Sequence, residues 1–306
     1  MQLGVIDIGG TFVKYAAVDE EGAFLFHGSV PTEAAKGGEA LVAKVQRLCD
    51  ELMGKVQLDG ISISSAGQID NVNGRVVFAT DTLPGYTGTE LAQRISAHTG
   101  LPAYVENDVN CTALGEYWKG AARGTRDFLC VTIGTGIGGA LFLNGELYTG
   151  SHFSAGEIGH INLYPNGTLC TCGQSGCYEQ YASSLALQRR VTEQFGEGWE
   201  LKAYFEQVKA GNREAVQLFE HWLDDLTTGL QTLVHLLNPE LIVIGGGISA
   251  QGDFLQQTVL SSLENKIMPN HRQSLQIKMA EHDNKSNLLG AAKNFLDKSG
   301  MEQVSN

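Results

Sequence analysis

Twice in this chain an apolar, strand-like run breaks at a cluster of glycines and resumes as a second strand. Residues 2 to 8 and 12 to 18 flank Gly9-Gly10-Thr11, and FLCVTI at 128 to 133 leads through Gly134-Thr-Gly-Ile-Gly-Gly139 into ALFLNGELY. In the second unit Asn144-Gly145 is a strong hairpin turn. The two units begin their turns at Gly9 and Gly134, 125 residues apart. Such repetition predicts two related lobes, and 306 residues are enough for two domains that each bury a core.

Between and after these units, strand and helix patterns alternate. Glu20-Glu21-Gly22 turns the first pair into a third strand, AFLFHGSV, so the chain opens as a β-meander. Leu41, Val45, Leu48 and Leu52 recur at spacings of three and four, which predicts a helix from about Gly38 to Met53. A strand GISISSAG, a hairpin-like stretch from Asn71 to Phe78, a helix from Thr89 to Thr99, a strand from Pro102 to Val105 and a helix from Asp108 complete the first half. The second half holds a Gly- and Cys-rich loop from 150 to 178 and helical patterns at 181 to 195, 199 to 209 and 212 to 237. A strand from Leu241 to Ile244 then ends in Gly245-Gly246-Gly247, ahead of a helix at 252 to 268, a strand LQIKMA and a helix from Ser286 to Leu296. This alternation is that of an α/β protein.

Charge and cysteine usage narrow the function. Lys and Arg total 21 against 34 Asp and Glu, a net charge of -13, which speaks against a surface that tracks nucleic-acid phosphates. The opening MQLGVIDIGG is no basic, then apolar leader, and no later stretch approaches the roughly 18 apolar residues of a membrane span, so the expected location is cytoplasmic, with no membrane partner. Cys49, Cys111 and Cys130 sit in apolar patterns as small core residues. Cys170, Cys172 and Cys177 crowd together at a spacing that suits a metal in a reducing compartment, and His160 lies ten residues upstream. Three thiolates and one imidazole make a complete tetrahedral zinc shell with no open position, so the expected ion is structural.

Gly134, Gly136 and Gly139 satisfy the dinucleotide-binding spelling G-x-G-x-x-G, but that motif needs a helix directly after it, and here a β-hairpin follows. A glycine-rich hairpin still holds phosphate through converging N–H groups that no Cβ obstructs; alone, it is equally a plain tight turn. Asp7-Ile-Gly-Gly-Thr-Phe-Val-Lys14 is more specific. An ionised Asp7 at the end of a buried strand is costly unless it meets a cation or hydrogen bonds, and Gly9, Gly10 and Thr11 offer donors at the same turn. MgATP phosphates, with Asp7 steering the Mg2+ and its waters, account for both motifs and for a third glycine run, IVIGGGIS, around Gly246. Bulk at Gly136 is then expected to impair ATP far more than the second substrate. Glu106-Asn107-Asp108 closes a strand and opens a helix, where Asp108 reads as an N-cap.

These segments resemble the ROK family of sugar kinases and related repressors, within the actin-like ATPase superfamily. DIGGTFVK, ENDVNCTALGE at 106 to 116, IGTGIGG, EIGH at 157 to 160, CTCGQSGCYE at 170 to 179 and LNPELIVIGGGIS at 237 to 249 carry the match in order. The resemblance implies a two-lobed, ribonuclease H-like ATPase fold with its active site in the cleft between lobes. One lobe is expected over 1–118 with the C-terminal helix at about 287–306, the other over 119–286 with the zinc loop. It also implies an ATP-dependent kinase acting on a hexose hydroxyl, O6 by preference, with Asp108 as general base. On this resemblance the sugar is expected to be bound by Asn107, Asp108, Glu157, His160 and Glu179. The nucleotide is expected to be bound by Asp7, Gly9, Gly10, Thr11, Lys14, Gly134, Thr135, Gly136, Gly138 and Gly246, and a homodimer is the implied assembly. The family also contains sugar-sensing regulators with an N-terminal DNA-binding module, for which the first phosphate strand, starting within a few residues of Met1, leaves no room. Two departures bear on substrate: Ala140 replaces a further glycine, and Thr82 stands where glucokinase-like members often carry Asn.

Overall fold

Along strand β1 (Gln2–Ile8) Leu3 and Val5 belong to one buried cluster and Ile6 and Ile8 to another, the alternation expected of a strand covered on both faces. The computed structural model describes residues 1–80, 82–282 and 285–304, the last four by backbone alone. It divides into two compact units, Met1–Gly124 with Leu147–Ala155 and Asn284–Asn306, and Thr125–Glu146 with Gly156–Asp283. The first unit runs past the expected 118 because the chain after its last N-terminal helix folds back. Ala121 and Ala122 are buried, and their amides donate to Glu116 Oε2 and to the Glu116 carbonyl.

In the first unit β1, β2 (Phe12–Asp19), β3 (Phe24–Pro31), β4 (Gly60–Ser65) and β7 (Ala103–Asn107) form a sheet ordered β3-β2-β1-β4-β7. The meander β1 to β3 is antiparallel, whereas β4 and β7 join in parallel. A small hairpin of β5 (Gln68–Asp70) and β6 (Arg75–Phe78) stands apart as its own sheet. Helices α1 (Gly38–Met53) and α2 (Leu91–Thr99) cover the face of Ile6, Ile8 and Val13. The opposite face, with Leu3, Val5, Ala16 and Val18, is covered by α3 (Asp108–Lys119) and the C-terminal α10 (Ser286–Val304) through Cys111, Leu288, Ala291, Ala292 and Phe295. Glycine permits this packing at two points: a Cβ at Gly290 would lie 1.6 Å from the Cys111 carbonyl oxygen, and one at Gly115 would lie 2.2 Å from that of Ser286.

The second unit repeats the plan. Strands β8 (Phe128–Ile133), β9 (Ile137–Leu143), β10 (Glu146–Tyr148, where the chain leaves this unit), β11 (Leu241–Gly245) and β12 (Gln276–Met279) are ordered β10-β9-β8-β11-β12. β9 is antiparallel to β8, while β11 and β12 are parallel additions. Helices α4 (Glu179–Ala182), α5 (Ser184–Phe195), α6 (Leu201–Lys209), α7 (Arg213–Leu237), α8 (Asp253–Glu264) and α9 (Pro269–Arg272) accompany this sheet. Leu129, Val131 and Ile133 of β8 share a core with Leu187, Phe205, Trp222 and Leu255 from four of these helices. The single helix expected at 181 to 195 is broken at Ser183, which is extended at φ -71° and ψ 164° and caps α5 through its side chain. The helix expected at 252 to 268 ends earlier, at Glu264, and Met268, at φ -63° and ψ 150° before Pro269, precedes the short α9. No described helix is long and apolar enough to cross a membrane.

Candidate active site

Side-chain parity places the first functional group. Asp7 follows Leu3 and Val5 at even spacing, so it lies on the face covered by α3 and α10, with Lys14 and Ser64 as its cross-strand partners in register. It is only 2% exposed. Ser64 Oγ donates to Asp7 Oδ1 at 2.8 Å, Asn287 Nδ2 of α10 donates to the same oxygen at 3.0 Å, and Lys14 Nζ lies 3.3 Å from Oδ2. The cost of burying this carboxylate is thus met by a cation and two hydrogen bonds. The adjacent turn is tied down by Gly9, whose amide donates to the Phe12 carbonyl, and by Thr32, whose hydroxyl donates to the Gly9 carbonyl at 2.6 Å. Gly10 and Thr11 are exposed, and a Cβ at Gly10 would meet no protein atom within 4 Å.

At the end of β7 the helix cap is Asn107, one residue earlier than the sequence reading: its Oδ1 accepts from the amides of Val109 and Asn110 at 2.8 and 3.1 Å. Capping by Asn107 leaves Asp108 as the first helical residue, half-buried, with Oδ1 accepting from the Val109 amide and from Asn107 Nδ2, both at 3.0 Å. Desolvation, and next the charge of Asp7, lift the Asp108 carboxyl to about 7 against these hydrogen bonds. Asn107 Nδ2 also donates to the Gly67 carbonyl at 2.9 Å. Beneath this turn Glu106, 1% exposed, accepts from the Asn107 amide at 2.8 Å, Asn110 Nδ2 at 2.9 Å and Asn71 Nδ2 at 2.5 Å. Motif reading gave no role to Glu106, Ser64 or Asn287. For Ser64 the parity of β4 was a signal, since Gly60, Ser62 and Ser64 alternate onto the α10 face.

In the second unit the β8–β9 turn is closed by the Gly134 amide donating to the Gly136 carbonyl at 3.0 Å, and the Ser184 amide at the start of α5 donates to the Gly134 carbonyl at 3.0 Å. Thr135 is exposed at its tip, and Gly138 pairs with Thr132 just inside β9. Gly136 has a second neighbour: a Cβ there would lie 2.5 Å from Glu179 Oε2. Bulk at Gly136, expected to impair ATP far more than sugar, would thus also press on a carboxylate expected to bind sugar. Gly246 is held at φ +80°, with its would-be Cβ 2.5 Å from the Ile133 carbonyl, so the third glycine run abuts the end of β8 and requires glycine for backbone reasons alone. Thr82 is exposed, its hydroxyl 2.7 Å from that of Thr80.

His160, Cys170, Cys172 and Cys177 converge, with one ligand atom from each lying within 4.8 Å of the others. Cys172 Sγ and Cys177 Sγ are 3.6 Å apart, close to the edge of about 3.8 Å that tetrahedral zinc–thiolate bonds of about 2.3 Å require. Cys170 Sγ is 3.6 Å from His160 Nδ1. The loop is shaped for this: the Cys170 amide donates to the Gln174 carbonyl, and Gly176 at φ +85° leaves only 1.8 Å between a hypothetical Cβ and the Tyr164 carbonyl. The Gln174 backbone amide is the main influence lowering the Cys172 thiol. Two carboxylates border the cluster. Glu157 Oε2 lies 3.9 Å from His160 Nε2, while Glu179 Oε1 is 3.9 Å from His160 Nδ1 and accepts from Cys170 Sγ at 3.1 Å.

With two repeated sheets, a buried aspartate at a glycine turn in one unit and a Cys3His cluster in the other, comparison with known proteins is decisive. The model of the ROK family matches residues 3–298. The chain belongs to the ROK family. This ROK protein is 31% identical to a glucokinase of Thermotoga maritima, over 94% of its own length and 95% of that relative. It is likewise 31% identical to a beta-glucoside kinase of Listeria monocytogenes, over 97% and 98% of the two chains. Among solved structures it is similar to the ROK family glucokinase from Streptomyces griseus in complex with glucose and AMPPNP, with TM-score 0.83 and 31% identity, covering 95% of this chain and 98% of that one. Its fold is the actin-like α/β fold of ROK sugar kinases.

Proposed function

We propose that this ROK protein is an ATP-dependent hexose kinase that transfers the γ-phosphoryl group of MgATP to a sugar hydroxyl, O6 by preference, with Asp108 as general base. The observation that carries the reading is Asp108 itself: a half-buried carboxyl at the start of α3, lifted to about 7, beside a second, firmly held carboxylate at a glycine turn. A base with that affinity is half ionised near neutrality, where it accepts a proton as the oxygen–phosphorus bond forms. The sugar oxygen attacks the γ-phosphorus, its proton passes to Asp108, and the bond to the β-phosphate oxygen breaks to release ADP. Asp7 would orient the Mg2+ and its waters, and that ion, when bound, neutralises charge on the phosphates. The turns at Gly9, Gly10 and Thr11, with Lys14, and at Gly134, Thr135, Gly136, Gly138 and Gly246 supply the phosphate-facing backbone. Glu157, Glu179, Asn107 and the Nε2 edge of His160 bind sugar hydroxyls. His160 Nδ1, Cys170, Cys172 and Cys177 would hold a structural Zn2+, for which three sulfurs and one imidazole nitrogen are the fitting donors. A coupled ADP-release assay over glucose, N-acetylmannosamine, β-glucosides and other hexoses tests the reading. Sugar-dependent ADP release is expected with at least one of them, and its absence across the panel removes the proposal.

A further inference from the structure

Asp7 and Asp108 sit on different elements, β1 and α3, yet one side chain from a third element joins the two elements. Asn287, the second residue of α10, donates through Nδ2 to Asp7 Oδ1 at 3.0 Å, and its Oδ1 accepts from Thr112 Oγ1 at 2.5 Å. Thr112 stands one helical turn beyond Asp108, and its hydroxyl oxygen also lies 3.0 Å from the Asp108 carbonyl. A hydroxyl has one proton, so the shorter contact to Asn287 takes it. This fixes the amide orientation, because the opposite one would set Oδ1 against a carboxylate. The position of Asn287 is itself fixed by the two glycine contacts between α3 and α10 and by Ser286 Oγ, which donates to the buried Glu116 at 2.7 Å. An asparagine in the first turn of a helix ordinarily bonds its own backbone. Here its side chain is directed across to β1 instead.

We infer that Asn287 is a positioning residue for phosphoryl transfer, holding Asp7 in register with the turn that bears Asp108. The inference rests on the roles proposed above for those two carboxylates. Without Asn287 the Asp7 carboxylate keeps, among the described residues, Ser64 on Oδ1 and Lys14 on Oδ2, and its orientation is held less firmly. Cation binding at the nucleotide phosphates should then suffer, while sugar binding should not.

The test uses the full chain with Asn287→Ala and Asn287→Leu, each first checked for a cooperative melt, and Mn2+ as a paramagnetic probe titrated into protein saturated with AMPPNP. Both variants should bind Mn2+ about tenfold more weakly, the worth of one hydrogen bond to a charged group, and lose about tenfold in kcat, with sugar affinity by calorimetry unchanged. In an Asp7→Asn background the Asn287 substitution should no longer alter Mn2+ affinity, whereas a merely structural effect would persist there. Wild-type Mn2+ affinity in both variants, or an equal loss with and without Asp7, overturns the inference. A wild type that turns over no sugar would instead remove the proposed function, and the Mn2+ cycle would still decide whether Asn287 acts through Asp7.

Discussion

Around neutral pH Asp108 exists as a mixture of carboxylate and acid, because desolvation and the charge of Asp7 raise it to about 7. Only the ionised form accepts a proton, so kcat/KM should be level at alkaline pH and fall about tenfold per unit below the pKa. Asp108→Asn should abolish that limb and lower kcat by about 10²–10⁴-fold with sugar binding retained; near-normal kcat would take Asp108 out of the mechanism. Stability should move the other way. An acid whose folded pKa is raised loses stability as pH climbs from the unfolded value through the folded one, so at alkaline pH the neutral amide should melt at a higher temperature than the wild type. A second pair of substitutions separates the glycine turns. At Gly10 a Cβ meets nothing within 4 Å and at Gly136 it meets Glu179. Gly10→Val should therefore raise the KM for ATP alone, and Gly136→Val the KM values of both substrates. Equal effects of Gly10→Val on both would mean that this turn does not touch phosphate.

At the scale of elements, the loop from 150 to 178 illustrates what a metal would add. Among its described contacts, short isolated bridges pair Asn162 with Cys177 and Leu169 with Ser175, and Tyr164 Oη donates to Asp225 Oδ1 of α7 at 2.6 Å. From Asn162 to Gln174 only Cys170 is buried, and a structural zinc would supply the missing folding free energy. Cys172→Ser should lose about one zinc per chain by elemental analysis and weaken sugar binding, since Glu179 rests on Cys170 and Glu157 on His160. Affinity for a non-hydrolysable ATP analogue should fall less, because the Gly134 turn is anchored separately on Ser184. Metal-free wild type, or a serine variant with normal sugar affinity, would detach the cluster from the sugar site.

At the scale of the whole chain, α10 returns from the far end of the sequence to complete the first unit. Leu288, Leu289 and Phe295 are each at most 3% exposed, and burying a side chain of this kind contributes about 1.5–3 kcal/mol. Their sum is comparable with the 5–15 kcal/mol, roughly, by which a domain is stable. A chain ended after His282 should lose cooperative folding of the first unit while the second keeps its core around Trp222 and Leu226. Limited proteolysis with mass spectrometry would then cut within Met1–Gly124 and spare α5 to α8; an equally protected first unit would contradict this.

Much of this architecture is local and therefore visible in the chain itself. β1, β2, α1 and β8 lie within a residue or so of where alternation and three-four spacing place them, because a strand or helix pattern is written by neighbours. That His160, Cys170, Cys172 and Cys177 come together was legible for the same reason, since they lie on one loop. The break at Ser183 was marked by a residue that caps helices well but whose outcome depends on packing. Only the tertiary structure decided that Asn107 rather than Asp108 caps α3, that Glu179 lies against Gly136, and that Asn287 grips Asp7 across 280 positions of sequence. Those contacts follow from how close two helices come at Gly115 and Gly290 and from which face of a sheet a helix covers, quantities set by the packing of distant segments, to which no local pattern is sensitive.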